Sequence, residues 1–196
     1  MHLPLRILGI PGSLRQQSYS RAVLTAAQRL VPSIASLDLF DLHDIPPYDR
    51  SSAEMPAAVL ELKRRIRAAD AVLFSVPEHL YSASTVVDNA IAWAAAPDHD
   101  NAWVDKPAAV VGASDGWRGT ALAQHHLRCK LADLQMRPLR QVEVVVREAS
   151  SAFDRRGDLV NAVTRDMLSE LLADLVGLAQ PSIGAHATHT PAMASG

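Results

Sequence analysis

Residues 5–21 read Leu5-Arg6-Ile7-Leu8-Gly9-Ile10-Pro11-Gly12-Ser13-Leu14-Arg15-Gln16-Gln17-Ser18-Tyr19-Ser20-Arg21. The first six residues are apolar enough for a buried strand, and Pro11-Gly12 ends it. Ser18 is an N-cap for a helix from about Tyr19 to Val31, which Pro32 stops. A strand therefore turns into a helix through a loop of small hydroxyls and one cation. Amides at a helix start, Ser13, Ser18 and Ser20 as hydroxyl donors, and Arg15 as the charge are what a phosphate site requires. The loop is not a P-loop, because no Gly-Lys-Ser/Thr follows, and it lacks Gly-x-Gly-x-x-Gly.

The same alternation continues outward from this unit. Ser36–Phe40 reads as a second strand and Asp41–Pro56 as a loop. A helix over Ala57–Ala69 carries Val59, Leu62 and Ile66 on one face. Ala71–Val76 is almost wholly apolar, as expected of a strand covered on both faces. A helix over Thr85–Ala95, a strand over Ala108–Ala113, a helix over Gly119–Leu134 and a strand over Val142–Val146 follow. In the last helix Val160, Val163, Met167, Leu168, Leu171, Leu172, Leu175 and Val176 recur at helical spacing, with Gly177 or Gly184 as its end. Strands alternating with helices predict an α/β three-layer sandwich: a five-stranded parallel sheet with helices on both faces. One domain is expected over 1–180, with 181–196 a disordered tail.

In such sheets ligands bind beyond the carboxyl ends of the strands, where strand order reverses. That rule selects residues 11–18, 77–84 and 113–119. The second loop reads Pro77-Glu78-His79-Leu80-Tyr81-Ser82-Ala83-Ser84-Thr85 and leads into Asp88-Asn89-Ala90-Ile91-Ala92-Trp93. The third reads Gly112-Ala113-Ser114-Asp115-Gly116-Trp117-Arg118-Gly119-Thr120, whose small residues admit a close ligand. Each loop taken alone reads equally as a capped polar turn.

Composition excludes several classes. The chain has 196 residues, 19 basic and 21 acidic, for a net charge of -2. No basic run is present beyond Lys63-Arg64-Arg65, read as a solvated helix face, so no nucleic-acid footprint is expected. No apolar run is long enough to span a membrane, and no signal peptide is apparent. Cys129, the single cysteine, excludes an internal disulfide and reads as a buried thiol. These features fit a cytoplasmic protein. No metal site is expected, since His186 and His189 stand without Cys or carboxylate neighbours. Of His125 and His126, one is expected to be partly buried. There are three Trp, three Tyr and three Phe. Phe40 and Phe74 read as core. Tyr19, Tyr81 and Trp117 fall in or beside the three loops.

As an ordered set, the three loops resemble those of the NAD(P)H-dependent FMN reductase family, within the flavodoxin-like fold. The first is similar to its Gly-Ser-Leu-Arg-x-Gly-Ser-x-Asn-Arg motif. The second is similar to its Pro-Glu-Tyr-Asn-Tyr-Ser segment followed by Leu-x-Asn-Ala-Ile-Asp-Trp. The third is similar to its Gly-Ala-Ser-x-Gly-x-x-Gly-Thr segment. The resemblance implies an enzyme that passes hydride from NADPH or NADH, through bound FMN, to a quinone, flavin or other small organic acceptor. It assigns the FMN phosphate to Ser13, Arg15, Ser18 and Ser20. It sets Pro77, Glu78, His79, Leu80 and Tyr81 along the ring, and Ser114, Gly116 and Gly119 on its far side. No catalytic acid or base is required, because the cofactor carries the chemistry.

The resemblance also implies a homodimer or homotetramer with the flavin near the subunit interface. Trp93 would be a packing residue there, and Trp103 would lie in a loop that reaches a neighbour's site. The chain departs from the motifs at Gln17, Ser20, His79, Leu80 and Ala83-Ser84-Thr85. Those departures leave an alternative: a flavodoxin-like binding or regulatory module without flavin turnover.

Overall fold

The computed structural model describes residues 4–52, 54–77, 84–116, 120–140 and 143–180. In chain order the elements are β1 (Leu5–Pro11), α1 (Tyr19–Leu30), β2 (Ala35–Leu39), α2 (Ala57–Ala68), β3 (Ala71–Val76), α3 (Thr85–Ala95), β4 (Pro107–Ala113), α4 (Ala121–Asp133), β5 (Arg137–Pro138), β6 (Val144–Val146), the single-turn α5 (Ala149–Ala152) and α6 (Ala162–Ala179). The strands form one parallel sheet in the order β2-β1-β3-β4-β5, with β6 also on β4. This is the three-layer α/β arrangement that the alternation predicts, in the flavodoxin-like strand order that the resemblance implies.

Strand pleating divides the core by parity. Leu8, Ile10, Val72, Phe74, Val76, Ala108 and Val110 face one layer, where they meet Val59, Leu62 and Ile66 of α2, Val87 and Ile91 of α3, and Leu127 and Leu131 of α4. Ile7, Ala71, Leu73, Ala109, Val111 and Ala113 face the other, against Val23, Leu24 and Ala27 of α1 and Leu168, Leu171, Leu172 and Leu175 of α6. Helix starts are capped as their sequences require. Ser18, Ser84 and Asn161 each accept an amide hydrogen bond two or three residues into α1, α3 and α6.

The fifth strand departs from expectation. It occupies one edge position in two pieces, at Arg137–Pro138 and Val144–Val146 rather than at 142–146. Pro107 pairs with Arg137, whereas Val111 pairs with Val144, so three extra residues are accommodated between the pieces. Arg137 N–H and Leu139 N–H donate to Lys106 O (2.9 Å) and Ala108 O (2.8 Å), so the nitrogen of Pro138 faces the open edge, where an edge strand tolerates proline.

Several side chains also lie elsewhere than expected. Lys63 is buried, 1% exposed, with its ammonium on Ala96 O (2.6 Å) and Asp100 Oδ2 (2.7 Å). A long aliphatic stem makes such burial tolerable when the head is paired. Trp103 is fully buried against Phe74 and donates to Ile91 O (3.1 Å), so it packs this protomer's own core and does not reach outward. Phe40 is only partly buried, at the rim of the core. Cys129 is exposed on α4, 3.8 Å from His125 Nε2, and His125 and His126 are both exposed. Val160 lies ahead of α6 and not in it, and Val163 and Met167 face solvent because α6 buries only the stripe running from Leu168. The helix passes through Gly177 and ends at Ala179.

Candidate functional site

The site follows from strand order. The chain leaves β1 for β2 on one side and returns to β3 on the other, which opens a crevice above the carboxyl ends of β1 and β3. Because β1, β3 and β4 are neighbours, the loops after all three converge. A cavity of about 600 Å³ lies there, lined by Ser13, Arg15, Gln17, Ser18, Tyr19, Ser20, Pro77, Ala113, Ser114 and Asp115.

The first loop is pressed against the end of β3. Gly12 N–H donates to Ser75 O (2.7 Å). A β-carbon on Gly12 would lie 2.6 Å from that oxygen and 2.9 Å from Pro77 Cδ, so only glycine permits the approach. Arg15 N–H donates to Ser13 Oγ (3.3 Å), which tightens the turn. Ser18 then caps α1 by accepting from Arg21 N–H (3.2 Å). The Arg21 guanidinium is drawn off to Asp41. Arg15 has no ion-pair partner among the described residues.

Helix α1 starts at the cavity with no acidic residue in its first turn. Its first amides and the positive end of its dipole are therefore available to an anion. Ser20 is 1% exposed, and its Oγ is buried without a hydrogen-bond partner. An unpaired buried hydroxyl is costly in an apoprotein and marks a place for a ligand acceptor. Ser75 Oγ, on the same layer as α1, is unpaired as well.

The third loop is tied down on its own side. Ser114 N–H donates to Val146 O (3.0 Å), and Gly116 N–H donates to Ser114 Oγ (2.9 Å). Asp115 Oδ1 accepts from Ser150 N–H (2.7 Å) at the start of α5, and its carboxylate meets Tyr19 across the cavity. The Ser150 amide, then the Tyr19 hydroxyl, hold the Asp115 carboxyl below the usual carboxylate range. The same hydrogen bond to Asp115 raises the Tyr19 phenol. Arg15 and Asp115 are thus the charged side chains of the lining.

Six of the sequence-predicted residues share this cavity: Ser13, Arg15, Ser18, Ser20, Pro77 and Ser114. Gly116 stands beside it, bonded to Ser114. Glu78, His79, Leu80, Tyr81 and Gly119 lie outside the described residues. Asp115 is not among the residues that the loop motifs select. Its sign in the sequence is a carboxylate set between the small residues of a strand-end loop. Asn89 and Trp93 have a different part from the cavity lining. Both donate to Pro46 O (2.9 and 2.8 Å), and Asn89 Oδ1 accepts from Tyr48 N–H (2.6 Å). Tyr48 packs edge-on to Trp93 at 5.0 Å. One helical turn of α3 thereby fastens the loop between β2 and α2.

Comparison with known proteins points the same way. Residues 5–151 match the family model described as NADPH-dependent FMN reductase. The chain is 43% identical over 173 residues to an NAD(P)H-dependent FMN reductase of Pseudomonas aeruginosa, covering 87% of this chain and 93% of that protein. It is 33% identical over 171 residues to a 2-hydroxy-1,4-benzoquinone reductase of a Burkholderia species, covering 87% and 93%. Among solved structures it is similar to FerB, a flavoenzyme NAD(P)H:(acceptor) oxidoreductase from Paracoccus denitrificans. There the TM-score is 0.83 and the identity 31%, covering 89% of this chain and 97% of that one. With a family model matched over most of its length and relatives this similar, the chain belongs to the NADPH-dependent FMN reductase family.

Proposed function

We propose that this chain is an FMN-dependent NAD(P)H oxidoreductase whose acceptor is a quinone, a flavin or another small organic molecule. The observation that carries the reading is the start of α1 at the cavity, with the Arg15 cation beside it and the Ser20 hydroxyl buried without a partner. Those groups fit a flavin phosphate: a dianion supplies the acceptors that an unpaired hydroxyl and free helix amides lack. Family membership and the names of the relatives support the same cofactor and the same class of acceptor.

Each residue's part follows from its place. Arg15 offsets the phosphate charge. Ser13, Ser18 and Ser20 donate hydroxyl hydrogens, and Ser18 does so while its oxygen still accepts from Arg21 N–H. Pro77, held over the Gly12 approach, and Ser114, fixed by Gly116 and Val146, bound the space for the ring. Glu78, His79, Leu80, Tyr81 and Gly119 belong to the same ring-facing loops in this reading. Tyr19 and Asp115 brace the phosphate loop against the third loop across the opening. When bound, FMN supplies the hydride acceptor and donor, so the protein need only orient it and keep its ring accessible.

The flavodoxin-like domain spans 1–180 in this reading, and the working form is a homodimer or homotetramer in the cytoplasm. No helix among the described residues is long and apolar enough to cross a membrane.

The test is direct. The purified chain is titrated with FMN and then mixed anaerobically with NADH or NADPH. Binding followed by bleaching of the flavin absorbance supports the reading, and a chain that binds no FMN would sink it. Reoxidation by a benzoquinone identifies the acceptor class.

A further inference from the structure

The outer edge of β6 is an unpaired strand. β6 bonds to β4 on one side, and no strand among the described residues lies on the other. Ser114 N–H donates to Val146 O, which turns the backbone groups of Val146, and by alternation those of Val144, toward β4. The N–H and C=O of Val145 face away, as do those of Glu143 and Arg147 at the strand's ends. A groove of about 450 Å³ follows this edge, with Glu143, Val145 and Arg147 on one side and Val163 and Met167 of α6 on the other.

The lining mixes apolar Val145, Val163 and Met167 with polar Glu143, Arg147, Asn161 and Thr164, and exposed Val160 lies just before Asn161. Val160 is 61% exposed, Val163 67% and Met167 38%. No proline, bulge or lysine interrupts residues 143–147, and the strand itself is three residues long with a charged residue at each end. The charges that do flank the strand are of opposite sign. Arg147 is exposed and has no ion-pair partner among the described residues. Glu143 meets Arg128 at 2.6 Å, and its side chain is still 46% exposed.

We propose that this edge pairs antiparallel with the same edge of a second copy of the chain, about a two-fold axis at Val145. The sequence is self-complementary in that register. Val145 meets Val145, Val144 meets Val146, and Glu143 meets Arg147 of the second copy. Like charges at the two ends would repel in such a pairing, whereas one of each sign attracts at both ends. Val163 and Met167 are then covered by their symmetry mates, as an isologous contact requires. This gives the self-association of the preceding reading a specific face, and it does not depend on flavin binding.

The experiment uses the full chain. Sedimentation velocity over roughly 1–100 µM gives assembly size for the wild type, Arg147→Glu, Val163→Asp and the double swap Glu143→Lys/Arg147→Glu. Circular dichroism confirms that each variant is folded. Arg147→Glu sets glutamates against each other at both ends, and it is expected to raise the dissociation constant of one two-fold step at least about tenfold. Val163→Asp is expected to do the same, and the double swap to restore association. Hydrogen exchange is expected to protect the Val145 amide only in the assembled form. An assembly unchanged by both single variants overturns the edge pairing and leaves self-association standing. A wild-type monomer at the highest concentration overturns both. Protection of Val145 in a monomer assigns the groove to another segment of the same chain, and also overturns the proposal.

Discussion

Thr120 Oγ1 stands where a side chain on Gly112 would have to go: a β-carbon there would lie 1.8 Å from it. Thr120 is buried and accepts from Gln124 Nε2 (3.0 Å), so it has no room to yield. The end of β4 and the start of α4 are thereby locked together, with the third loop strung between them. Gly112→Ala is expected to lower the unfolding free energy by about 1–3 kcal/mol, the usual cost of forcing extra atoms into a packed interior. Urea denaturation measures it, and a loss within error of zero would show that the contact is not tight.

Arg15 is the cation of the cavity lining. Its contribution should depend on whether the ligand carries a phosphate. Arg15→Ala is expected to weaken FMN binding about 10- to 100-fold, in keeping with loss of a charge-assisted hydrogen bond. Riboflavin binding should change little. Fluorescence titration with both ligands separates the two, and equal losses would place Arg15 away from the phosphate.

Ser20 offers a sharper contrast, because its hydroxyl lacks a partner in the protein alone. Removing an unsatisfied buried group does not destabilise, and removing one that a ligand satisfies does weaken binding. Ser20→Ala is expected to leave the flavin-free protein equally or slightly more stable. FMN affinity should fall several-fold. Thermal melts with and without FMN report both quantities in one experiment.

The buried Lys63 should give the protein an acid-sensitive contact. The hydrogen bond from Lys63 is the foremost cause holding the Asp100 carboxyl below its ordinary 3.8, and Arg67 adds to it. The unfolded chain therefore takes up this proton at a higher pH than the folded one. The stabilisation is complete above pH 3.8 and is lost as pH falls through the lower folded value. Asp100→Asn is expected to flatten this part of the stability profile. At neutral pH it should cost about 1–3 kcal/mol by leaving the ammonium with Ala96 O as its full acceptor. Lys63→Met should cost less, since it removes the buried charge instead of stranding it. Denaturation from pH 3 to 7 checks the ordering.

Much of the fold could be read from local chemistry. β3 is apolar at every position but Ser75, so it had to lie between two layers, and Ser18 announces α1 because a hydroxyl cap has a fixed place. The convergence of three loops followed from strand order. What escaped was set by partners far away in the chain. Lys63 reads as surface until Asp100 and Ala96 O are brought to it. Asp115 reads as one more loop carboxylate until Ser150, 35 residues on, fixes it. Val163 and Met167 share the periodicity of α6, yet they fall just outside the stripe that the sheet covers. The division of the fifth strand shows only once β4 lies beside it, in the offset between the pairs Pro107–Arg137 and Val111–Val144.

The neighbouring positions of β1, β3 and β4 also govern when the site can exist. Ser13 and Ser114 line one cavity although about a hundred residues separate them in the chain. They meet only after three parallel strands, each returning through a helix, have come side by side. Contacts of such long sequence separation form late and close large loops. The cavity is thus a product of the finished sheet, with no half-built version to be filled early. A ligand that enters it recognises the native state alone, and its binding free energy adds in full to the stability of the whole fold.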